Sequence, residues 1–223
     1  MGNCLLTLVT QYRTATLLAG INVTNIIERI EAWFVAHEDG EFVCCHRGQP
    51  FQVVGRSQES RCAIYTTKPQ LILQLLDGVV NDAVQCGLIG RYGLPNDLGA
   101  GSVLSLLYDL DVHFIGDMDP VDLMIFAWLR RKFTATQWHY LGINDTLMES
   151  CDLQLMSFSM PLSEAESDAR QLLEDSLPDL VDLVGLKCHH LLQNNLKVEI
   201  ECLLEAKASL KNASHPLGSG GAP

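Results

Sequence analysis

The chain has 223 residues, of which 48% are hydrophobic and 19% charged, and its formal net charge is −12 at neutral pH. That length permits one sizeable core with a small appendage, and the composition is typical of a folded protein and argues against a disordered one. The acidic balance disfavours a stand-alone nucleic-acid-binding protein, because the average surface repels phosphate unless a basic patch, a metal ion or a basic partner compensates.

The first 60 residues contain a predicted helix and a predicted hairpin. Apolar residues recur at helical spacing in NVTNIIERIEAWFVAH, residues 22–37, which predicts an amphipathic helix. The following text, GEFVCCHRGQPFQVVG, has the turn residues and short apolar runs of a β-hairpin. We treat residues 1–60 as an N-terminal helical and hairpin portion, since a segment of this size is marginal as an independent domain.

From residue 61 onward the sequence alternates between strand and helix patterns. Short apolar strands are predicted in CAIYTT, CGLIGRYG, VHFIG and QWHYLGI. One helix is predicted in each of the three intervals between these strands: PQLILQLLDGVVNDAV, LGAGSVLSLLYDL and PVDLMIFAWLRRKF. This alternation predicts an α/β core over residues 61–150, with a parallel sheet of about four strands and helices on both faces.

The remainder is predicted to be helical, with a flexible end. The run LSEAESDARQLLEDSL has Ser163 three residues before Glu166, which is the pattern of a capping box at a helix start. We expect a C-terminal helical extension over residues 151–211. The small and polar residues 212–223 predict a flexible tail.

The cysteines and the apolar runs predict a cytoplasmic protein with no membrane segment. No apolar run approaches the ~20 residues that a membrane span requires. The opening residues MGNCLLTLV lack the basic region of a secretory signal. Five cysteines scattered through apolar segments are interpreted as reduced, buried thiols: Cys62, Cys86, Cys151, Cys188 and Cys202.

The third predicted strand ends in IGDMDPVDL, which places Asp117 and Asp119 two residues apart. Ligands of open parallel sheets bind beyond the carboxyl ends of the strands, and side chains two apart leave extended backbone on the same side. Two carboxylates held so close repel each other unless a cation lies between them. Mg²⁺ is the expected cation, with a third oxygen ligand from Asp122 or from water. An interpretation of equal weight is that one aspartate caps the helix beginning at Pro120 while the other is solvated.

Two further groups of residues carry chemistry in principle. Arg130, Arg131 and Lys132 form the densest basic run. That run fits either a contact to nucleic-acid phosphates or a solvated helix end stabilised by the helix dipole. His113 and His139 fall on the third and fourth predicted strands, where a histidine with one satisfied ring nitrogen is the usual case.

Several motifs in the same order resemble those of Toprim domains. IGDMDPVDLMIF resembles the Toprim aspartate motif, in the variant of the topoisomerase VI A subunit and of its meiotic relative that makes double-strand breaks. LIGRYGLPNDLGAGSVLSLL resembles the family's preceding strand, turn and leucine-rich helix, and WHYLGINDTLMES resembles its Trp-Leu-Gly element without the proline. NNLKVEIECLLE resembles its terminal Lys-x-Glu-Ile-Glu run. The resemblance spans roughly residues 61–205, and residues 61–131 are also similar to the C-terminal Toprim-like domain of the Wadjet anti-plasmid nuclease subunit.

Two departures from the Toprim pattern leave two functions open. Toprim sites use a glutamate at the end of the first strand, where this chain has Thr66-Thr67-Lys68-Pro69, and Lys68 is a cation that competes with a metal. Topoisomerase VI relatives cut DNA with a tyrosine on a winged-helix domain, which we do not expect before residue 61. The resemblance implies either a degenerate Toprim-like subunit of a DNA-processing complex, bound to a protein partner such as an ATPase subunit, or a Mg²⁺-dependent component that cleaves DNA strands.

Overall fold

The computed structural model describes residues 23–37, 52–54, 62–76, 86–95, 101, 105–107 and 110–205. Most of the predicted hairpin, most of the helix predicted in LGAGSVLSLLYDL, the second half of the helix predicted in PQLILQLLDGVVNDAV and the predicted tail lie outside these ranges. No helix within them is long and apolar enough to cross a membrane.

The larger sheet has five strands in the order β1-β3-β2-β4-β5. They are β1 (Gln52–Val54), β2 (Cys62–Thr66), β3 (Cys86–Gly90), β4 (Asp111–Ile115) and β5 (Gln137–Tyr140). The strands β2, β3, β4 and β5 pair in parallel, and β1 joins the edge antiparallel to β3. The predicted α/β core with about four parallel strands is therefore confirmed.

Eight helices are described in full. They are α1 (Val23–Ala36), α2 (Pro69–Leu76), α3 (Pro120–Lys132), α4 (Asp145–Ser150), α5 (Leu155–Phe158), α6 (Glu164–Ser176), α7 (Leu180–Val184) and α8 (Leu186–Gln193). The predicted capping box is present at α6, where the Ser163 side chain accepts from the backbone of Glu166 and the Glu166 side chain accepts from the backbone of Ser163. It fixes the start of α6 as the sequence predicted.

Helices cover both faces of the parallel sheet. The face that carries Val112 and Phe114 is fully buried, and α3, buried from Pro120 through Leu129, packs there with α1 and α6 outside it. On the opposite face Ile64 of β2 and Ile115 of β4 meet α2 around an apolar cavity of about 350 Å³. Alternating strand positions thus point into two different apolar layers, as expected for a parallel sheet covered on both sides.

The prediction of a purely helical C-terminal region is wrong at two short segments. β6 (Ser159–Pro161) and β7 (Leu196–Val198) form a second, antiparallel sheet of two strands. Beyond β6, β7 also meets the end of β4, because Met118 N donates to Val198 O at 2.9 Å and Val198 N donates to Met118 O at 3.2 Å. With three residues, β6 is too short for a periodicity argument to distinguish it from helix.

The prediction of reduced thiols is confirmed at three positions and wrong at one. Cys188 and Cys202 are free and buried, and Cys151 is free and half-buried. Cys62 is disulfide-bonded. An apolar strand buries a half-cystine as readily as a thiol, so burial in an apolar segment does not report the oxidation state. Cys62 therefore no longer supports the prediction of a cytoplasmic location, which was based on reduced cysteines.

Candidate functional site at the strand ends

Three aspartates lie within the seven residues that follow β4, and all of them are buried. Asp117, Asp119 and Asp122 are 5%, 6% and 4% exposed. The expectation that one of the pair is solvated is therefore wrong. Each of these carboxylates has to be satisfied by protein groups, since burial of an unpaired charge is costly.

Asp119 is the N-cap of α3. Its backbone is extended, with φ −138° and ψ 163°, and its Oδ1 accepts a hydrogen bond of 2.7 Å from the backbone N–H of Asp122. Pro120 follows in the first turn, where its missing N–H leaves no intrahelical bond unmade. The interpretation of one aspartate as a helix cap is thus confirmed for Asp119.

Asp122 turns back towards the end of β2. Its Oδ2 accepts two hydrogen bonds, one of 2.6 Å from Thr67 Oγ1 and one of 2.8 Å from the backbone N–H of Asp117. The approach needs glycine at position 116, because a Cβ there would lie 2.5 Å from Asp122 Oδ2. Asp122 therefore ties the ends of the two central strands together, and Thr67 is a hydrogen-bond donor in this arrangement.

Asp117 is held by a lysine on one oxygen and by backbone on the other. Its Oδ2 lies 2.8 Å from Lys68 Nζ, and its Oδ1 accepts a hydrogen bond of 2.8 Å from the backbone N–H of Ile200. Lys68 stands in the loop between β2 and α2, and Ile200 follows β7. Two segments far apart in sequence thus close over the end of β4.

The Lys68 ammonium is shared among several carboxylates. It donates to both oxygens of Glu201, at 2.9 and 2.8 Å, and lies 3.9 Å from Glu199 Oε2. Lys197 continues the network, with its Nζ 2.7 Å from Glu166 Oε1 and 3.5 Å from Glu199 Oε1. Lysines and carboxylates therefore alternate across the strand ends. We refer to four of these residues as the Lys68 cluster: Lys68, Asp117, Glu199 and Glu201.

Burial controls the protonation of the aspartates. It raises the pKa of Asp117 to about 7, and the nearby Asp122 charge adds to the rise while the Lys68 ammonium opposes it. Burial likewise raises the pKa values of Asp119 and Asp122. Burial alone would lower the pKa of Lys68, but its ion pairs with Asp117 and Glu201 outweigh that effect and raise it. The lysine is therefore firmly charged.

As arranged, these residues do not fit a magnesium ion. Both oxygens of Asp117 already have partners, Asp122 Oδ2 accepts two hydrogen bonds, and Asp119 caps a helix. Within the described ranges, no group of three or more His, Cys, Asp or Glu side chains is arranged to hold a metal ion. Lys68 supplies the positive charge that the sequence pattern assigned to Mg²⁺, and Mg²⁺ binding at Asp117, Asp119 and Asp122 stays a prediction.

The basic run at the end of α3 is engaged in internal contacts. Arg130 donates two hydrogen bonds of 2.7 Å to the carboxylate of Asp179, and Arg131 Nη2 donates to the backbone oxygen of Ser176 at 2.8 Å. Lys132 Nζ lies 3.3 Å from Glu31 Oε1. These contacts join α3 to α1 and to the end of α6, and a phosphate-binding role for the run stays a prediction.

Sequence reasoning found the aspartates but missed the segment that closes over them. The run KVEIE alternates apolar and charged residues, which is a strand signal, and it supplies Val198, Ile200 and both glutamates of the Lys68 cluster. That alternation was the only available sign that the segment would pair with another strand end.

No protein-family model matches the chain, and no curated protein matches it. The Toprim resemblance therefore depends on the motifs quoted above.

Proposed function

We propose that the chain is a catalytically degenerate Toprim-like module that serves as a subunit of a DNA-processing complex and binds a protein partner such as an ATPase subunit. The observation that carries the loss of catalysis is the Lys68 ammonium, 2.8 Å from Asp117 Oδ2. A metal at that position would have to displace a charged lysine that is also bound to Glu201.

The replacement of the first-strand glutamate supports the same conclusion. A hydroxyl at position 67 neither carries a proton at neutral pH nor offsets the charge of a metal ion, and here it donates to Asp122. Asp119 serves as a helix cap, and Asp117 is bound to the lysine, so both aspartates of the motif are held in structural contacts. The DNA-processing context and the protein partner rest on the Toprim resemblance and on the acidic charge of −12, which favours a role within a complex over independent DNA binding.

Nicking of supercoiled plasmid tests the loss of catalysis. The purified chain should not nick in the presence of Mg²⁺ or Mn²⁺. Nicking that disappears in Asp117→Asn would instead support the second function, a Mg²⁺-dependent component that cleaves DNA strands. Nicking that survives the loss of both Asp117 and Asp119 would contradict both functions, because it would place the chemistry elsewhere.

A restored metal site tests the role of Lys68 and Thr67 directly. In the double variant Thr67→Glu/Lys68→Met the Lys68 charge is gone and a fourth carboxylate joins Asp117, Asp119 and Asp122, so the aspartates lack the cation that neutralises them. Millimolar Mn²⁺ should raise its melting temperature by on the order of 5 °C, since a ligand at about 100 times its Kd stabilises a fold by about 2.7 kcal/mol.

The matched control for this experiment is Thr67→Gln/Lys68→Met, which has the same shape without the added charge. It should respond to Mn²⁺ much less than the glutamate variant, and the parent chain should not respond. A clear Mn²⁺ response of the parent chain that Asp119→Ala abolishes would show that a metal site already exists and would overturn the degenerate assignment.

The protein partner is tested by the genomic neighbourhood and by co-purification. A gene for an ATPase of the structural-maintenance or GHKL type beside the gene for this chain supports the proposal, and its product should elute together with this chain in size-exclusion chromatography. Independent elution of the two purified proteins would contradict the partner assignment.

A further inference from the structure

The apolar cavity of about 350 Å³ on the α2 side of the larger sheet has the dimensions of a ligand pocket. Ile64 of β2 and Ile115 of β4 line it from the sheet, and Ile72 of α2, Leu147 of α4 and Leu203 line it from the other segments. Pockets that bind small molecules have volumes of roughly 300–1,000 Å³ and mostly apolar linings. This pocket therefore matches a small-molecule site in both size and lining.

The lining of the pocket is uncharged. None of the described residues that line it is an aspartate, glutamate, lysine, arginine or histidine. Its polar members are Asn144, Thr146 and Ser150, which lie on α4 or directly before it. An anionic ligand would meet no cation in the pocket, and the net charge of −12 would repel it. The lining therefore selects a neutral ligand over an anionic one.

Several apolar side chains of the pocket keep contact with solvent. Leu141 is 46% exposed, and Ile64, Ile115 and Leu203 are half-buried, whereas Ile72 is buried. An apolar space of about 150 Å³ inside a protein is already enough to stay dry and take up a molecule of the size of benzene. An apolar ligand in this larger space would remove these side chains from water, which is the driving force for binding.

We propose that this pocket binds a small uncharged ligand with an apolar body, such as a medium-length alkyl chain, and a hydroxyl-like polar end. The apolar body lies against the isoleucines of β2, β4 and α2, and the polar end faces the hydroxyls of Thr146 and Ser150. The Ser150 hydroxyl donates to the backbone oxygen of Leu147 at 2.8 Å, so its oxygen can still accept a hydrogen bond from the ligand. The proposal does not depend on the proposed function.

Two sides of the pocket belong to segments that also close over the strand ends. Helix α2 begins directly after Lys68, and Leu203 lies two residues after Glu201, which Lys68 binds. A ligand that contacts both sides therefore links α2 to the last described segment. The backbone N–H groups of Leu203 and Leu204, which donate to Ile200 and Glu201, should then exchange with solvent more slowly when the ligand is bound.

Fluorescence titration of the full chain with N-phenyl-1-naphthylamine, a neutral aromatic probe, tests the proposal. Its emission should rise saturably with one site per chain, and 1-octanol should displace it. Octanoate at pH 8 should need roughly tenfold or more higher concentrations for the same displacement, because it carries a charge into an uncharged pocket. Hydrogen exchange with and without 1-octanol locates the bound ligand.

Two substitutions place an indole in the pocket. Leu203→Trp and Leu141→Trp should each weaken probe binding by roughly tenfold or more, since the indole takes up the space of the ligand. The matched control is Leu186→Trp on α8, which changes a leucine that is 75% exposed and lies outside the pocket, and it should bind as the parent does. Leu141→Trp keeps the test decisive if Leu203→Trp folds poorly, because Leu141 is exposed.

Four results would overturn the proposal. The first is the absence of saturable probe binding by the parent, and the second is binding that the two pocket substitutions leave unchanged. The third is equal displacement by octanoate and 1-octanol, which would contradict the selection of a neutral ligand. The fourth is unchanged hydrogen exchange at Leu203 and Leu204 in the presence of 1-octanol, which would place the ligand elsewhere.

Discussion

Lys68→Met removes the ammonium that neutralises Asp117 while keeping an apolar side chain of similar length. At pH 8 a carboxyl group whose pKa is about 7 gains roughly 1 kcal/mol from ionisation, and at pH 6 the gain is close to zero. In the variant, burial and the Asp122 charge still raise the pKa of Asp117, and only the hydrogen bond from the Ile200 N–H opposes them. Asp117 therefore stays protonated at pH 8 and that gain is lost. The half-exposed pair between Lys68 and Glu201 adds about 0–1 kcal/mol at either pH.

The expected result is a loss of about 1–2 kcal/mol in the free energy of unfolding at pH 8 and of less than about 1 kcal/mol at pH 6. Urea unfolding monitored by circular dichroism at both pH values measures it. The control is Lys187→Met, which removes an exposed lysine 2.7 Å from Glu149 and should cost little at either pH. An equal loss at pH 6 and pH 8, or no loss at pH 8, would refute the account of Asp117.

Three further predictions concern the same region and the helix cap beside it. In the parent chain the pKa of Asp117 is raised from 3.8 to about 7, so between these pH values the folded state holds a proton that the unfolded state has released. The Asp117 contribution to stability should therefore fall as pH rises from about 4 to about 7, and urea titrations should show a flatter profile in Asp117→Asn; an unchanged slope would contradict this. Gly116→Ala should destabilise the fold by about 1–3 kcal/mol, because its Cβ would meet Asp122 Oδ2, and a variant as stable as the parent would contradict that crowding. Ser163→Ala should cost about 1 kcal/mol through loss of the capping box at α6, seen as a melting temperature lower by about 2–4 °C.

The α/β core was predictable because its signals are local. Each parallel strand is a short apolar run. The side chains of Asp119 and Ser163 accept hydrogen bonds from backbone N–H groups in the first turns of α3 and α6, and Pro120 in the first turn of α3 has no N–H. The position of the aspartates beyond β4 followed from the same pattern. These features need no knowledge of distant parts of the chain.

The partners of the aspartates were not predictable, because they come from far away in sequence. Nothing near Asp117 indicates that Ile200 will donate to it or that Glu201 will share its lysine. The number of charged neighbours, and with it the choice between a solvated and a buried carboxylate, is decided by tertiary packing. The same limit explains the missed pairing of β6 with β7.

The closure over the strand ends also has a consequence for the order in which the protein assembles. All five strands of the larger sheet precede residue 141, but the contact between Lys68 and Glu201 spans 133 positions and that between Asp117 and Ile200 spans 83. During synthesis the sheet can form while the last segment is still inside the ribosome. Until residue 201 emerges, Asp117 lacks its backbone donor and Met118 lacks its strand partner. The nascent chain therefore carries exposed apolar and carboxylate groups at one edge, and chaperone binding at that stage would be directed to the carboxyl ends of the strands.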